Sequence, residues 1–160
     1  MDFVRLALII ILIYIFYQDY KSRLVYWFLY PLAGAFAFYI HARSASVAIA
    51  FTNALANIAF CFIMLLIALA YVRLKLKLNL KDSIGSGDIL FFVFISFSFS
   101  IISFLVLLIF SLIFALVTHL LLKKAKQPDH TVPLAGYMAF FFSQIYAYSL
   151  FFDTNFLYAY

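Results

Sequence analysis

Between Ile89 and Leu122 the chain carries no Asp, Glu, Lys or Arg, and no other feature constrains the fold so tightly. As one helix rising ~1.5 Å per residue, this run would extend roughly 51 Å, well beyond a hydrocarbon core of roughly 30 Å. It must therefore turn. The alternation Ser96-Phe97-Ser98-Phe99-Ser100, followed by Ser103, is the expected turn. It divides the run into a short helix and a longer one ending near His119.

The remainder of the chain repeats the apolar pattern. With 69% hydrophobic residues, 11% charged residues and a mean hydropathy of +1.14, the sequence lies outside the range of soluble proteins. Its length accommodates roughly five to seven spans of about 20 residues. A first span is expected over Phe3 to Gln18, with Asp19 to Arg23 as a polar segment after it. No small-residue cleavage site follows this span, so it reads as a retained helix rather than a signal peptide. A second span covers Leu24 to Ile40, His41 to Ser46 is a connector, and Val47 to Val72 is a third span whose Thr52, Asn53 and Asn57 are expected to face other helices. Arg73 to Lys81 alternates basic and apolar residues and reads as a segment lying at the membrane interface. After the divided run and a polar stretch, Lys123 to Thr131, a last span covers Leu134 to Phe152. The fold class is thus all-α, a polytopic membrane protein of about six transmembrane helices forming one domain over residues 1–160.

Charge placement supports this count. The formal net charge is +5, but the basic residues fall in short clusters between apolar runs, which marks membrane topology rather than a nucleic-acid surface. If the Asp19 loop is cytoplasmic, six crossings put Lys21, Arg23, Arg73, Lys75, Lys77, Lys81, Lys123, Lys124 and Lys126 inside, leaving only Arg5 and Arg43 outside, a positive-inside bias. The same count requires two crossings between Asp88 and Lys123, independently of the length of the run. Cys61 is the only cysteine, so it forms neither an intrachain disulfide nor a cysteine zinc site and reads as packing. The histidines are expected on the outer connector (His41), in a helix end (His119) and in the last inner loop (His130), without ligand neighbours at metal-binding spacing. No cofactor or metal is expected.

All six acids are aspartates, and two of them, Asp19 and Asp88, sit at membrane boundaries that the count places on one face. An ionisable group there is costly to desolvate and is a functional hypothesis by default. Each also has a plainer reading. Asp19 could snorkel to the headgroups beside Lys21 or Arg23, and Asp88 could cap the helix it begins. As a pair, two nearby carboxylates cannot both ionise easily; they share a proton, one serving as base toward a water and the other as acid toward a carbonyl. Gly85 and Gly87 before Asp88 suit a turn with positive φ or the close approach of another chain. Asp82 reads as a loop charge and Asp129 as a turn residue. The Phe-rich runs read as lipid-facing or packing surface. Trp27, Tyr158 and Tyr160 read as interfacial anchors, with Trp27 alternatively packing over the site.

These residues carry a resemblance. Asp19-Tyr20-Lys21-Ser22-Arg23-Leu24-Val25 resembles the Asp-x-Lys-x-Arg opening motif of the type IV prepilin peptidases and related preflagellin peptidases, and Gly85-Ser86-Gly87-Asp88 resembles their GxGD motif. Val132-Pro133-Leu134-Ala135-Gly136-Tyr137-Met138-Ala139 is similar to the Ile-Pro-Phe-x-Pro-Tyr-Leu-Ala stretch that opens their last helix. The three matches follow the family's order along the chain. The resemblance implies an intramembrane aspartyl endopeptidase of the bacterial or archaeal cytoplasmic membrane that removes a basic leader from prepilin-like (class III signal peptide) substrates at the cytoplasmic face. Asp19 and Asp88 would be catalytic, with Gly85, Gly87, Lys21, Arg23, Pro133 and Tyr137 shaping the loop or binding substrate. Membrane lipids and the prepilin-like substrate would be its partners. The chain departs from the pattern at Val25-Tyr26, where Pro-Asn is common, at Leu90, where a lysine is common, and at Gly136, which replaces a proline. It lacks a cysteine-rich methyltransferase insertion and is closer to the short stand-alone members, which implies cleavage without methylation. Two other classes fit the acids: a small proton-coupled transporter relaying protons through Asp19 and Asp88, and an inactive relative serving as an assembly scaffold.

Overall fold

The computed structural model describes residues 1–76, 85–126 and 133–158, and among these its regular secondary structure is all helical, with no strand. The helices are α1 (Asp2–Ser22), α2 (Leu29–Ser44), α3 (Val47–Tyr71), α4 (Ser86–Ile95), α5 (Ile101–Lys126) and α6 (Leu134–Phe151). A π-helical turn, Val72–Leu76, extends α3, and a 3₁₀ turn, Asn155–Leu157, follows α6. Residues 2–22, 47–74 and 101–122 are long and apolar enough to cross a membrane. In an apolar medium every backbone N–H and C=O must find a partner within the protein, which favours helices. The first residues of the Arg73 to Lys81 segment belong to the π-helical turn that ends at Leu76; the rest of that segment, with Asp82, Asp129, His130 and Tyr160, lies outside the described residues.

The most extensive contact is between α1 and α6. Leu8, Leu12 and Ile15 form the buried stripe of α1, and Met138, Phe142 and Tyr146 recur at helical spacing on α6, all without exposure. Phe99, from the turn after α4, completes this core with ring centroids 6.3 Å from Phe142, 5.4 Å from Tyr146 and 5.5 Å from Tyr158. α4 packs on α2 at Gly34, where a Cβ would fall 2.8 Å from Phe94 Cδ1 and 3.2 Å from the Phe94 carbonyl oxygen. Only glycine admits that crossing.

The serine turn forms where expected. α4 stops at Ile95 and α5 starts at Ile101, with Ser96, Ser98 and Ser100 fully buried between them. Non-helical backbone surrounded by apolar side chains needs partners brought from elsewhere. Asn57 on α3 supplies two, its Nδ2 donating to the carbonyls of Ser96 and Phe99 at 3.0 Å each. Ser100 donates through its backbone N–H (3.2 Å) and its hydroxyl (3.0 Å) to the Leu157 carbonyl, tying the 3₁₀ turn beneath the bundle.

Several boundaries differ from the sequence expectation, and one cause covers most of them: hydropathy marks where polar residues start, whereas helices continue as long as their hydrogen bonds do. α1 runs through Gln18 to Ser22, so Asp19 lies inside a helix rather than in a polar segment after it. α2 starts at Leu29, not Leu24, and continues through the expected connector to Ser44. His41 is consequently buried, its Nδ1 3.3 Å from the Phe97 carbonyl and its Nε2 3.3 Å from Asn53 Nδ2. α5 continues past His119 to Lys126. Asn53 and Asn57 face other helices, but Thr52 is exposed and donates to its own Ala48 carbonyl at 2.8 Å. Tyr158 is packed against Phe99 and His41 rather than anchored at an interface, whereas Trp27 is 72% exposed.

Asn57→Leu keeps the volume while leaving two turn carbonyls without their donor. It is expected to destabilise the protein by about 1–3 kcal/mol, against less than about 0.5 kcal/mol for Thr52→Ala. Thermal unfolding of both variants in detergent checks this.

Candidate active site

The first turn of α6 is the centre of the site. Its N-cap is Pro133, which makes no side-chain cap hydrogen bond, so the amides that follow need acceptors from elsewhere. Two carboxylates from distant parts of the chain supply them. Ala135 N–H donates to Asp88 Oδ1 at 2.9 Å, and Gly136 N–H donates to Asp19 Oδ2 at 2.6 Å. Asp19 comes from the last turns of α1 and Asp88 from the first turn of α4. Consecutive amides therefore bring the two acids side by side, within reach of each other's charge. The positive end of the α6 dipole favours negative charge there.

Both plainer readings of the acids change. Asp19 is only 8% exposed and does not snorkel. Lys21, one of its two suggested partners, donates instead to Tyr17 Oη at 3.1 Å on the exposed side of α1, away from the pair. Asp88 does take part in starting its own helix: its Oδ2 turns back over Gly85, the α4 N-cap, in the reciprocal position of a capping box. Its other oxygen is what reaches α6.

The remaining predicted residues fall around this pair. Arg23 ends α1 in the left-handed region (φ 58°), and is the only non-glycine residue with positive φ among the described residues. Its backbone N–H donates to the Asp19 carbonyl at 3.2 Å, and its positive charge acts on both carboxylates. Pro133 is buried, and its carbonyl accepts from Tyr137 N–H at 3.1 Å. Tyr137 is buried beneath Asp19, its ring centroid 6.4 Å from that of Phe16. The connector between α1 and α2 is held by Gln18, whose Oε1 accepts from Tyr26 N–H at 3.0 Å.

The glycines act by close approach, and none has positive φ, contrary to one of the two sequence readings. A Cβ on Gly85 would meet Asp88 Oδ2 at 3.1 Å. Gly87 lies within α4 rather than in a loop, and a Cβ there would meet Tyr30 Oη at 2.8 Å. A Cβ on Gly136 would fall 2.9 Å from both Cβ and Oδ2 of Asp19. The glycine that departs from the family pattern is thus the one that lets Asp19 dock.

Three groups of the site were missed from sequence: the amides of Ala135 and Gly136, and the phenol of Tyr30. Backbone donors leave no mark in a sequence. Tyr30 is one of 12 tyrosines in an apolar chain, with nothing in its neighbourhood to single it out. Comparison with protein-family models, curated proteins and solved structures finds no match to the chain.

Gly136→Ala pushes a methyl group into Asp19. An overpacking loss of about 1–3 kcal/mol is expected. Thermal unfolding in detergent measures it, and an unchanged midpoint would show that Asp19 does not pack on the start of α6.

Proposed function

We propose that the chain is an intramembrane aspartyl endopeptidase that removes the basic leader of prepilin-like substrates at the cytoplasmic face of the membrane. The observation that carries this reading is the meeting of Asp19 and Asp88 on adjacent amides at the start of α6. The three motifs that bear the resemblance coincide with the three helix ends that meet there.

The chemistry follows from charge. The α6 amides, its dipole and Arg23 compensate one negative charge well, but two carboxylates side by side resist a second ionisation. At intermediate pH the pair holds one proton. The ionised carboxylate takes a proton from water as its oxygen bonds to the scissile carbonyl carbon, and the carbonyl oxygen takes the proton of the other carboxyl. Collapse re-forms the carbonyl, one hydroxyl of the intermediate returning its proton to the carboxylate that gave one, and breaks the C–N bond, the departing nitrogen receiving the proton that came from water. Both carboxyl groups return to their starting count of one shared proton.

Six crossings complete the reading. α4, with 10 residues, reaches only ~15 Å, so a crossing made through it leaves Asp88 recessed below the cytoplasmic surface. A substrate must therefore present its peptide bond unwound from its own apolar helix.

Two experiments test this. With a membrane-inserted substrate carrying a Lys/Arg leader, then Gly, then an apolar helix, Asp19→Asn and Asp88→Asn are each expected to lower kcat/KM at least ~10³-fold. The wild-type rate should be bell-shaped in pH, falling on the acid side, where no carboxylate is free to act as base, and on the alkaline side, where no carboxyl retains its proton. Cleavage by either variant at close to the wild-type kcat/KM, or a flat profile from a folded protein, rules out the pair. For topology, reporters fused after Arg23, within Arg73 to Lys81 and after Lys126 should read cytoplasmic, and one at Ser44 external; an external reading at Lys126 removes the six-crossing arrangement.

A further inference from the structure

Tyr30 lies in the first turn of α2, 2% exposed, and packs against the start of α4 beside Asp88. Its ring is fixed edge-on to Phe91, centroids 6.5 Å apart and planes at 75°. Its hydroxyl is inaccessible to solvent and, among the described residues, has no hydrogen-bond partner. It lies against the α-carbon of Gly87, the residue preceding Asp88, and the charges of both Asp19 and Asp88 act on it.

A buried hydroxyl without a partner forfeits about 1–3 kcal/mol. Those of Ser98, Tyr146, Thr154 and Tyr158 share this state among the described residues, but of these tyrosines only Tyr30 lies where the charges of both aspartates act on it. The peptide bond to be cut is a strong acceptor that must enter this same space. We propose that Tyr30 is a third catalytic residue: its O–H donates a hydrogen bond to the scissile carbonyl oxygen as negative charge develops on it. This rests on the endopeptidase reading. A carbonyl oxygen has two lone pairs, one for the protonated carboxyl of the pair and one for the phenol, so the two donors do not compete. The phenol keeps its proton throughout, and the proton count of the reaction is unchanged. A donor fixed in advance in a water-poor site stabilises the developing oxyanion more than the neutral carbonyl.

The same geometry gives the second glycine of Gly85-Ser86-Gly87-Asp88 its purpose. Among the described residues, the atom that a Cβ at position 87 would crowd belongs to Tyr30, its Oη at 2.8 Å. A methyl group there must push the phenol away from the pair.

The test uses the same leader-Gly-apolar substrate in detergent micelles with the full chain. Tyr30→Phe is expected to lower kcat about 10²-fold with KM unchanged, the range seen when one oxyanion donor is removed. Gly87→Ala, which leaves the tyrosine in place but displaces its hydroxyl, should lower kcat by a comparable factor, and the double variant should be no slower than Tyr30→Phe alone. Full kcat in Tyr30→Phe or in Gly87→Ala, a loss confined to KM, or multiplicative losses in the double variant would each overturn the role of Tyr30. If the aspartate variants are inactive while Tyr30→Phe runs at the wild-type rate, only this inference fails; if the wild-type protein cleaves nothing, it fails together with the endopeptidase reading.

Discussion

Two hydrogen bonds at the start of α6 organise the molecule. Pro133 begins that helix without a cap, and the next amides are capped in trans by Asp88 and Asp19. A hydrogen bond to a charged group is worth about 1.5–3 kcal/mol, and the helix dipole adds about 0.3–2 kcal/mol in a partly buried setting. The bonds link α1, α4 and α6 at one point. Removing a carboxylate therefore has two consequences, the loss of a titratable group and the loss of a cap. Asparagine separates them, because its carbonyl oxygen can still accept the amide N–H while its NH₂ cannot cycle a proton.

The proposed catalytic pair needs rigid elements behind it, and α4 is held at both ends. At its start, Gly85 and Asp88 face each other and Asp88 reaches α6. At its end, Ser96 Oγ donates to the Phe92 carbonyl at 2.6 Å, and Asn57 holds the turn that follows. Midway, Gly34 lets the α2 backbone approach Phe94. Sliding α4 would break polar contacts that no solvent could replace in an apolar surrounding. The position of Asp88 is thereby tied to that of Tyr30 on the same α2 surface.

The elements legible in the sequence were those enforced by a large cost. A charge-free run too long for one crossing had to turn, and the serines marked where. Two acids at apolar boundaries were conspicuous because burying them is expensive, and they do meet. Helix ends were less legible. Gln18 to Ser22 and His41 to Ser44 look like loops by polarity, yet each continues a helix whose polar side chains find partners: Gln18 with Tyr26, Ser22 with the Gln18 carbonyl at 3.0 Å, and His41 with Phe97 and Asn53. The glycines stand out in the sequence, but what they avoid in the structure is contact and not a forbidden φ. No pattern in a single sequence encodes contact between residues as far apart as Gly136 and Asp19.

That last pair also gives physical meaning to a departure from the resembled motif. A proline at position 136 would be tolerated in the first turn of a helix, where its missing N–H costs no intrahelical bond. Here it would remove the donor that Asp19 uses, and its ring would occupy the space where Asp19 lies 2.9 Å from even a single added carbon. Glycine at 136 and a docked Asp19 are thus one choice rather than two. A chain with proline there would have to hold its first aspartate by another group and leave α6 with one capped amide fewer. The arrangement found here instead offers two amides, a dipole end and Arg23 to a pair of carboxylates. The amides and Arg23 work against the cost of burying a charge there, and the charge of Asp19 acts on Asp88. If the pair shares one proton, as the proposed endopeptidase requires, it presents a base and an acid in the same place.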